Sequence, residues 1–240
     1  MPPLHTLPLA ISSSRQTLSE PTRADSRLFW STPVQRSNNA SWYPFVKRLV
    51  DVFSSSLLLF VLSPLMFIVA VCIKLESRGP IFFCQERCGI YGKQFLFFKF
   101  RSMVSNAEEQ KLGIVEQSDQ GGIRFKMATD PRVTSMGKFI RKYSIDELPQ
   151  LLNVLLGDMS LVGPRPPLPK EVECYDHYQK SRLAVVPGIT CTWQIGGRSE
   201  IPFEEQVEMD IAYIEARSIM KDLMILIKTP VAVIGAKGAY

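Results

Sequence analysis

The longest uncharged stretch of the chain runs from Val52 to Ile73, 22 residues without a charge. A straight helix over this stretch would be about 33 Å long, which is enough to cross the apolar core of a bilayer. Residues 57–60 and 65–71 are apolar on every side of such a helix, and this argues against the core helix of a soluble domain. The pattern therefore predicts a membrane helix.

Two features of this segment favour a helix that enters the membrane and returns. Pro64 lies near its middle and removes one backbone hydrogen bond, and the neighbouring Ser63 is able to bond a freed carbonyl. Basic residues on both flanks predict that both ends stay cytoplasmic: Lys47, Arg48, Lys74, Arg78 and Arg87. We expect a re-entrant helix, broken at Ser63-Pro64, in a membrane-associated segment over 42–78. A simple transmembrane span is the alternative.

Two short runs of β-favouring residues follow, at 81–84 and 95–100, with glycines between them. This pattern predicts a β-hairpin. Lys99 and Arg101 alternate with phenylalanines, and alternate residues of a strand share one face. The two cations therefore lie on the same face, either as ligands of a substrate or as a solvated strand edge.

A short basic helix is predicted next, capped by Thr134 or Ser135 and ending near Tyr143. Three basic residues fall on one face of it, at spacings i, i+3 and i+4: Lys138, Arg141 and Lys142. A solvated helix face would have the same pattern. This helix, however, leads directly into two adjacent carboxylates.

Those carboxylates, Asp146 and Glu147, allow two interpretations. Residues 144–147, Ser-Ile-Asp-Glu, match a capping box, in which Ser and Glu only satisfy amides at a helix start. A nucleophile beside a metal ligand would have the same sequence, and the residues leave both open. Pro149 places the helix start near Leu148, Gly157 closes the helix, and a buried apolar stripe is predicted between them: Leu148, Leu151, Leu152 and Leu155.

The loop over 163–167, Gly-Pro-Arg-Pro-Pro, fixes φ at its three prolines. Arg165 is therefore held in few conformations and loses less entropy when it binds a phosphate. A surface turn would have the same composition. Further along, residues 203–227 have helical periodicity, and residues 220–227 are apolar enough for a membrane interface, although a core helix fits equally well.

Composition narrows the class of protein. Residues 1–41 are rich in Ser, Thr, Pro, Arg and Asn, so we expect a disordered tail. The net charge of +5 suits an anionic membrane surface or phosphorylated substrates. No run of five basic residues occurs, which argues against a nucleic-acid partner. The 5 cysteines are irregularly spaced and there are only 2 histidines, which argues against disulfides and zinc.

An ordered series of motifs lies between about Lys47 and Tyr240. Its members are Lys47-Arg48, Ser63-Pro64, Gly79-Pro80, Lys99 with Arg101, Asp130-Pro131-Arg132, Arg141, Ser144 to Gln150, Val162 to Pro166, Pro187-Gly188, Trp193-Gln194 and Gly197-Arg198. In these motifs the chain resembles the bacterial sugar transferases that act on polyprenyl phosphate, the monotopic phosphoglycosyl transferases.

The resemblance implies an α+β fold. A membrane-inserted, broken helix precedes a cytosolic, helix-rich catalytic domain over 79–240, with a small β-hairpin and amphipathic interface helices. The expected location is the bacterial inner membrane, with the catalytic domain on its cytoplasmic face. The chain lacks the multi-span region of longer relatives, so we expect a minimal catalytic unit with a disordered leader.

The resemblance also implies a reaction. A sugar-1-phosphate passes from a UDP-sugar to polyprenyl (undecaprenyl) phosphate with release of UMP, which initiates exopolysaccharide, capsule or O-antigen synthesis. Asp146 would be the nucleophile and Glu147 a ligand of Mg²⁺. Phosphoryl transfer requires nearby cations, which we also expect to keep Asp146 ionised. The substrate-binding candidates are Arg141, Arg165, Lys99, Arg101 and Arg198, with Pro164 and Pro166 fixing the loop.

Two residues depart from the family pattern. Cys191 stands where glycine is usual and Gly196 where serine is common, so contacts to the sugar or the acceptor before Arg198 are open. The alternatives are a membrane-anchored glycosyltransferase that releases UDP and a non-enzymatic membrane-anchored scaffold. The sugar stays open among glucose, galactose and N-acetylated sugars, and a homo-oligomer is compatible with the sequence.

Overall fold

The computed structural model of the chain describes residues 42–107, 110 and 130–235. The predicted disordered tail over 1–41 lies outside the described residues. The described part combines helices with two small sheets, so the mixed helix-and-sheet class predicted from the sequence is confirmed.

The apolar segment forms one α-helix, α1, over Tyr43–Glu76. Among the described helices it is the one that is long and apolar enough to cross a membrane. Pro64 lies inside it, and the Ser63 hydroxyl donates to the Phe60 carbonyl at 2.8 Å. That carbonyl lies four residues before Pro64, so it is the one that loses its partner when the proline lacks an N–H. The helix is not interrupted at Ser63-Pro64. A change of direction there and the re-entrant path stay predictions.

The first half of α1 is attached to the rest of the domain by charged side chains. Arg48 donates to the carbonyls of Val154 and Leu155, and Asp51 accepts from the Leu161 amide at 3.0 Å. Both carbonyls lie at the end of a helix, where a cation is favoured by the helix dipole. These contacts fix residues 43–55 against the catalytic domain.

Asp222 forms a second attachment for the same end of α1. Its carboxylate accepts from Tyr43, Lys47 and Tyr213, at 3.0, 2.8 and 2.6 Å. Asp222 is buried, and a buried carboxylate needs such partners to remain stable. This cluster joins the start of α1 to the two C-terminal helices.

The far end of α1 is attached at a different place. Arg101 donates to the carbonyls of Ser77 and Ile73, and Glu76 accepts from the Met136 amide at 2.9 Å. The middle of the helix is exposed between these attachments, with Phe60 80% accessible. Both ends of α1 therefore contact the same domain.

The predicted hairpin is confirmed. Strand β1 (Phe82–Cys88) pairs antiparallel with β2 (Gln94–Phe100), and Phe82 lies opposite Phe100. The strands are longer than the predicted runs because the polar residues of β1 continue the pairing. The alternation of β2 buries Phe95 and Phe97 on one face, and Phe100 is buried on the other face.

Helix α2 (Ser135–Lys142) begins as predicted, because the Thr134 hydroxyl accepts from the Gly137 amide. A 3₁₀ turn over Ile145–Glu147 follows, and helix α3 covers Gln150–Leu156. Gly157, at φ 94°, closes α3 as predicted.

The structure excludes one of the two open interpretations of this region and corrects one prediction. Ser144 has a left-handed backbone, φ 53°, and its side chain caps nothing among the described residues, so there is no capping box. The helix starts later because Pro149 occupies the position before Gln150. The buried stripe is also different: Asn153 and Val154 are fully buried, whereas Leu152 is 43% accessible.

A second, parallel sheet was not predicted. Strand β3 (Ser160–Val162) pairs with β4 (Gly188–Thr190), and helices α4 (Pro169–Glu173) and α5 (His177–Lys180) lie between them in sequence. Gly188 permits the close approach, because a Cβ there would lie 2.0 Å from the Gly163 nitrogen.

The C-terminal pattern forms three helices, α6 (Thr192–Gly196), α7 (Phe203–Ala216) and α8 (Ile219–Gly235). Helix α7 buries Val207, Ile211 and Ile214, as its periodicity predicts. Helix α8 exposes a continuous apolar face, consisting of Met220, Leu223, Met224, Ile227, Val231 and Ile234. The main core lies between α3, α7, α8, the hairpin and the parallel sheet.

Candidate active site

The 3₁₀ turn between α2 and α3 holds the two carboxylates singled out in the sequence. Asp146 is only 5% accessible, and Glu147 is half-buried beside it. The left-handed Ser144 reverses the chain immediately before them, a backbone conformation that is strained for a residue other than glycine. The turn therefore directs both carboxylates inward instead of along a helix surface.

Lys99 of β2 bridges the two carboxylates. Its ammonium lies 3.0 Å from Glu147 Oε1 and 3.5 Å from Asp146 Oδ2. The side chain extends from β2 past the buried ring of Phe97, 5.5 Å from the ring centroid. The alternation of the hairpin thus brings Lys99 to the site, as the interpretation of this cation as a ligand of a substrate requires.

Arg165 contacts Glu147 at the same oxygen as Lys99. Its Nη1 donates to Glu147 Oε1 at 3.2 Å. Pro164 and Pro166 are buried, Arg87 donates to the Pro166 carbonyl, and the Gly188 amide donates to the Pro164 carbonyl. The alternative of a surface turn is therefore wrong: the loop is packed against the hairpin and the parallel sheet, and it holds Arg165 in place.

Arg141 and Arg198 complete the group of cations. Both line the same cleft as the dyad, and neither guanidinium has a hydrogen bond or an ion pair with any residue that the structure describes. Arg198 also has a positive φ of 54°, and burial lowers its pKa below the ordinary value. These two charges are therefore free to meet an anionic ligand.

Arg101 is positioned differently from the other predicted cations. It lines the cleft, but its Nη2 is bound to the end of α1 through Ser77 and Ile73. Its Nε and Nη1 are buried and have no partner in the described ranges. A role in binding substrate stays a prediction for Arg101, because the observed contacts join α1 to the strand that carries Lys99.

The two carboxylates have opposite pKa shifts. Burial opposes the ionisation of Glu147, but the charges of Lys99 and Arg165 outweigh burial and lower its pKa to about 2. Burial raises the pKa of Asp146, and Lys99 offsets this only in part. At Asp146 burial is the larger influence and the nearby cations oppose it, so the expectation that they keep Asp146 ionised stays a prediction.

The dyad also offers ligands for a hard cation. In the ranges that the structure describes, no three His, Cys, Asp or Glu side chains converge as a complete metal cage. Each carboxylate nevertheless keeps one oxygen, Asp146 Oδ1 and Glu147 Oε2, without a hydrogen-bond donor among the described residues. Mg²⁺ is commonly held by one or two carboxylates together with substrate phosphates, so this donor set fits Mg²⁺.

The cleft itself has a volume of about 1160 Å³. Its lining includes the dyad and its cations. It also includes apolar residues of α1, among them Leu58, Leu62 and Leu65, and of α8, among them Leu226, Pro230 and Val233. The same cleft is therefore lined by charged and by apolar side chains.

The two departures from the family pattern lie beside this cleft. The Cys191 thiol is buried, donates to Gln194 Oε1 at 3.0 Å, and has a pKa raised by burial, so it stays protonated. A Cβ at Gly196 would meet only ordinary van der Waals contacts. Neither departure crowds the dyad.

The sequence analysis missed Asn153. Its side chain accepts from the Phe98 amide at 3.1 Å and donates to the Leu96 carbonyl at 2.7 Å, so it bonds to β2 as a neighbouring strand would. It thereby joins α3, which follows the dyad, to the strand that carries Lys99. One signal was available, because Asn153 is a single amide within an otherwise apolar helix.

Comparison with known proteins gives a consistent result. The family described as bacterial sugar transferase matches residues 42–236. The galactosyl transferase CpsE of Streptococcus agalactiae is 45% identical over 80% of this chain and 43% of its own length. The undecaprenyl-phosphate galactose phosphotransferase of Salmonella typhimurium is 40% identical over 82% of this chain and 42% of its own length.

A shorter relative is covered almost completely. The exopolysaccharide production protein ExoY of Sinorhizobium fredii is 38% identical over 81% of this chain and 88% of its own length. The chain therefore spans less than half the length of the first two relatives and most of the third. The resemblance found in the sequence motifs is confirmed by these matches.

Proposed function

This chain belongs to the bacterial sugar transferase family, and we propose that it transfers a sugar-1-phosphate from a UDP-sugar to polyprenyl phosphate. Two of its relatives are named as undecaprenyl-phosphate galactose and glucose phosphotransferases. The proposed product is a polyprenyl diphosphate sugar that begins an exopolysaccharide, capsule or O-antigen. The proposed site of action is the cytoplasmic face of the bacterial inner membrane.

The observation that carries this proposal is the distribution of charge around the dyad. Glu147 is neutralised by Lys99 and Arg165, whereas Arg141 and Arg198 lack partners among the described residues. Two uncompensated guanidinium groups beside a buried carboxylate suit a substrate with a diphosphate. A non-enzymatic scaffold would have no use for such an arrangement.

In the proposed first step, an Asp146 oxygen attacks the phosphorus next to the sugar. The bond to the bridging oxygen between the two phosphorus atoms breaks, and UMP leaves with that oxygen. Asp146 suits this role because only Lys99, at 3.5 Å, forms an ion pair with it among the described residues. Glu147 is paired more closely, with Lys99 at 3.0 Å and Arg165 at 3.2 Å. A carboxylate that is not tightly paired is the better nucleophile of the two.

In the proposed second step, a phosphate oxygen of polyprenyl phosphate attacks the same phosphorus. The bond to Asp146 breaks, and the carboxylate is restored. Lys99 then stabilises the returning charge on Asp146, while Arg141 and Arg198 hold phosphate oxygens in both steps. One nucleophile thereby serves a water-soluble donor and a membrane-bound acceptor in turn.

We propose Mg²⁺ as the cofactor, held by the unbonded oxygen of Glu147 with support from Asp146. The depressed pKa of Glu147 keeps its carboxylate ionised over the whole physiological pH range, and a carboxylate must be ionised to bind a metal. When bound, Mg²⁺ neutralises charge on the diphosphate.

The attachment of α1 supports a re-entrant path. Its first half is bound through Arg48, Asp51 and Lys47, and its last turn through Glu76 and Arg101. A helix that crossed the bilayer would leave one of these polar ends on the far side, away from its partners. We therefore propose that both ends of α1 lie on the cytoplasmic face.

The test of the proposed reaction is product analysis with the purified full chain in detergent or nanodiscs. A panel of UDP-sugars is incubated with undecaprenyl phosphate and Mg²⁺, and the released nucleotide is identified. We expect UMP with at least one sugar. Release of UDP would instead indicate a glycosyltransferase, and a complete lack of turnover would favour the scaffold.

The matched variants for this test are Asp146→Asn and Asp158→Asn. The Asp158 side chain forms no hydrogen bond or ion pair with the described residues and does not line the cleft, so we expect its replacement to leave UMP release unchanged. Asp146→Asn removes the nucleophile and abolishes UMP release. Equal activity in the two variants would contradict the assignment of Asp146.

A further inference from the structure

Helix α6 brings to the cleft a hydrogen-bond donor that the proposed reaction does not use. Trp193 lines the cleft and is only 6% accessible. Its indole Nε1 is buried and has no acceptor among the described residues. A buried N–H group without an acceptor is destabilising and is rare in native structures. An oxygen atom of a ligand in the cleft would satisfy it.

The next residue of α6, Gln194, provides a second unused donor. Its side-chain Oε1 accepts from the Cys191 thiol at 3.0 Å, whereas its Nε2 has no acceptor in the part of the chain that the structure describes. Gln194 lines the cleft and is only half-buried, so this N–H group is accessible to a ligand. Two free donors therefore belong to side chains that line the same cleft.

The Cys191 thiol fixes the orientation of the Gln194 amide. Cys191 is 2% accessible and does not line the cleft, so it acts on a ligand only through Gln194. Burial raises the pKa of the thiol, which therefore stays protonated and donates. A donating thiol faces the oxygen of the amide, and the amide nitrogen is left for the cleft. Without the thiol, rotation of the amide would present either atom.

Both ends of α6 lie near the dyad. The charge of Arg165 acts on Cys191 at the start of the helix. The charge of Glu147 acts on Arg198, two residues after the helix ends. In the proposed reaction a single oxygen joins the sugar to the phosphorus that Asp146 attacks, whereas the second phosphate and the ribose separate the uracil from it. A subsite next to the dyad therefore suits the sugar.

We propose that Trp193 and Gln194 donate to oxygen atoms of the donor sugar, and that Cys191 makes this subsite selective by fixing the Gln194 amide. The inference rests on the proposed function and adds the part of the site that recognises the sugar. A site that hydrogen-bonds a particular oxygen discriminates against a sugar without an oxygen in that position. Cys191 stands where glycine is usual in the family pattern, so the fixed amide is a feature of this chain.

The test compares the binding of UDP-sugars with the binding of UDP. The reference protein is the full chain in nanodiscs with Mg²⁺, and it carries Asp146→Asn to prevent turnover. The probes are UDP-glucose, UDP-galactose, UDP-N-acetylglucosamine and UDP, and calorimetry measures the Kd of each. The Kd of UDP divided by the Kd of the tightest UDP-sugar then reports the contribution of the sugar to binding.

The first pair of variants removes the two donors one at a time. In Trp193→Phe and in Gln194→Ala we expect the Kd of the tightest UDP-sugar to rise about fivefold, a usual effect of losing one hydrogen bond. The Kd of UDP changes less than about twofold. The matched controls are Trp42→Phe and Cys174→Ala, which replace exposed residues outside the cleft and leave every Kd unchanged.

The second pair of variants separates the orientation of the amide from the packing of the thiol. Both Cys191→Ala and Cys191→Ser remove the sulfur, but the serine hydroxyl still donates to the Gln194 oxygen. In Cys191→Ala we expect the ratio of Kd between the tightest UDP-sugar and the next one to fall about threefold. In Cys191→Ser this ratio is retained. A purely structural thiol would instead weaken all four probes, UDP included, in both variants, and this result would contradict the proposal.

Other outcomes would also overturn it. An equal rise in the Kd of UDP and of the UDP-sugar in Trp193→Phe and Gln194→Ala would place these donors at the uridine or the diphosphate. A reference protein that binds no UDP-sugar more tightly than UDP would show that the sugar has no subsite. Unchanged selectivity in Cys191→Ala would show that the thiol does not orient the amide. The proposed function fails by a separate result, in which the chain with Asp146 intact releases no UMP although the sugar contributes to binding.

Discussion

Two buried arginine–carboxylate pairs in this protein have similar chemistry and different surroundings. Arg182 and Asp210 form a pair that is sealed from solvent, with side chains 0% and 1% accessible, between the rings of Tyr175 and Phe203. Arg165 and Glu147 form a pair that opens on the cleft, with side chains 26% and 16% accessible. The first joins α7 to the turn after α5, and the second lies beside a nucleophile.

The surroundings of each pair indicate its role, which is structural for Arg182–Asp210 and functional for Arg165–Glu147. Arg182–Asp210 is a closed pair of opposite charges, and aromatic rings occupy the space around it. Glu147 is shared by two cations, and two further arginines nearby are without partners among the described residues. An excess of positive charge that opens on a cleft is an incomplete arrangement, which a phosphate ligand would complete.

The largest expected effect is on stability and comes from the sealed pair. Arg182→Ala leaves the Asp210 carboxylate buried without its cation, which costs about 3–5 kcal/mol of unfolding free energy. Chemical denaturation in detergent measures this change. The protein that remains folded keeps its rate of adduct formation, because Arg182 does not line the cleft. A stability close to that of the parent would show that Asp210 is satisfied without Arg182.

The second effect is large on activity and small on stability, the opposite of the first. Arg165→Ala removes a cation that holds Glu147 beside the reacting phosphate, and we expect kcat to fall by about 10²–10³-fold. Its unfolding free energy changes by about 1 kcal/mol or less, because the pair is partly solvated. If Arg165→Ala instead unfolded the protein and left kcat intact, the two pairs would have the same role.

A smaller effect is expected at the cations without partners. Arg141→Gln and Arg198→Gln each remove a positive charge that is proposed to bind a phosphate of the donor. We therefore expect the KM for the UDP-sugar to rise about tenfold, which corresponds to about 1.4 kcal/mol of binding free energy. Stability is unchanged, since neither guanidinium has an ion pair with the described residues. Steady-state kinetics over a range of donor concentrations measures the change. A KM equal to that of the parent would place the diphosphate elsewhere.

The smallest effect concerns pH. Burial raises the pKa of Asp146, so activity falls on acidification at a pH above the usual range of an aspartate. Lys99→Gln removes the main opposing charge and moves this acid limb to higher pH. The measurement is the pH profile of kcat in the parent and the variant. An acid limb that stays in place would show that Lys99 does not act on Asp146.

The stability consequences of the same two carboxylates differ in sign. Glu147 has a depressed pKa, so it stabilises the fold above its unfolded pKa, and this contribution is lost as the pH falls toward about 2. Asp146 has a raised pKa, so its protonation on acidification favours the folded state. For these two groups, acidification therefore protonates the nucleophile at a higher pH than it removes the stability that Glu147 contributes.

Local signals in the sequence predicted much of this fold. The hairpin, the cap at Thr134 and the helix end at Gly157 depend on neighbouring residues, and all three are confirmed. The dyad and its cations were recognised from residue type and motif order. Their convergence in one cleft depends on the hairpin alternation and on the proline-rich loop, and both were visible in the chain.

The remaining features depend on contacts that are distant in sequence. Ser144 matched a capping box, but the α-helix begins only after Pro149, five residues later. Glu147 bonds to Lys99 and Arg165 instead of to the backbone of Ser144. The parallel pairing of β3 with β4 joins segments too short to have a clear period. The role of Asn153 depends on β2, more than fifty residues earlier. No local pattern contains that information.

The central claim is that Asp146 carries the phosphosugar between donor and acceptor. The most direct measurement uses a UDP-sugar labelled at the phosphorus next to the sugar, incubated with the full chain and Mg²⁺ without acceptor. The protein is then digested and its peptides are mapped. We predict label on the peptide that contains Asp146, no label in Asp146→Asn, and discharge of the label when polyprenyl phosphate is added. Label that persists in Asp146→Asn, or product formed without any labelled protein, would contradict the account.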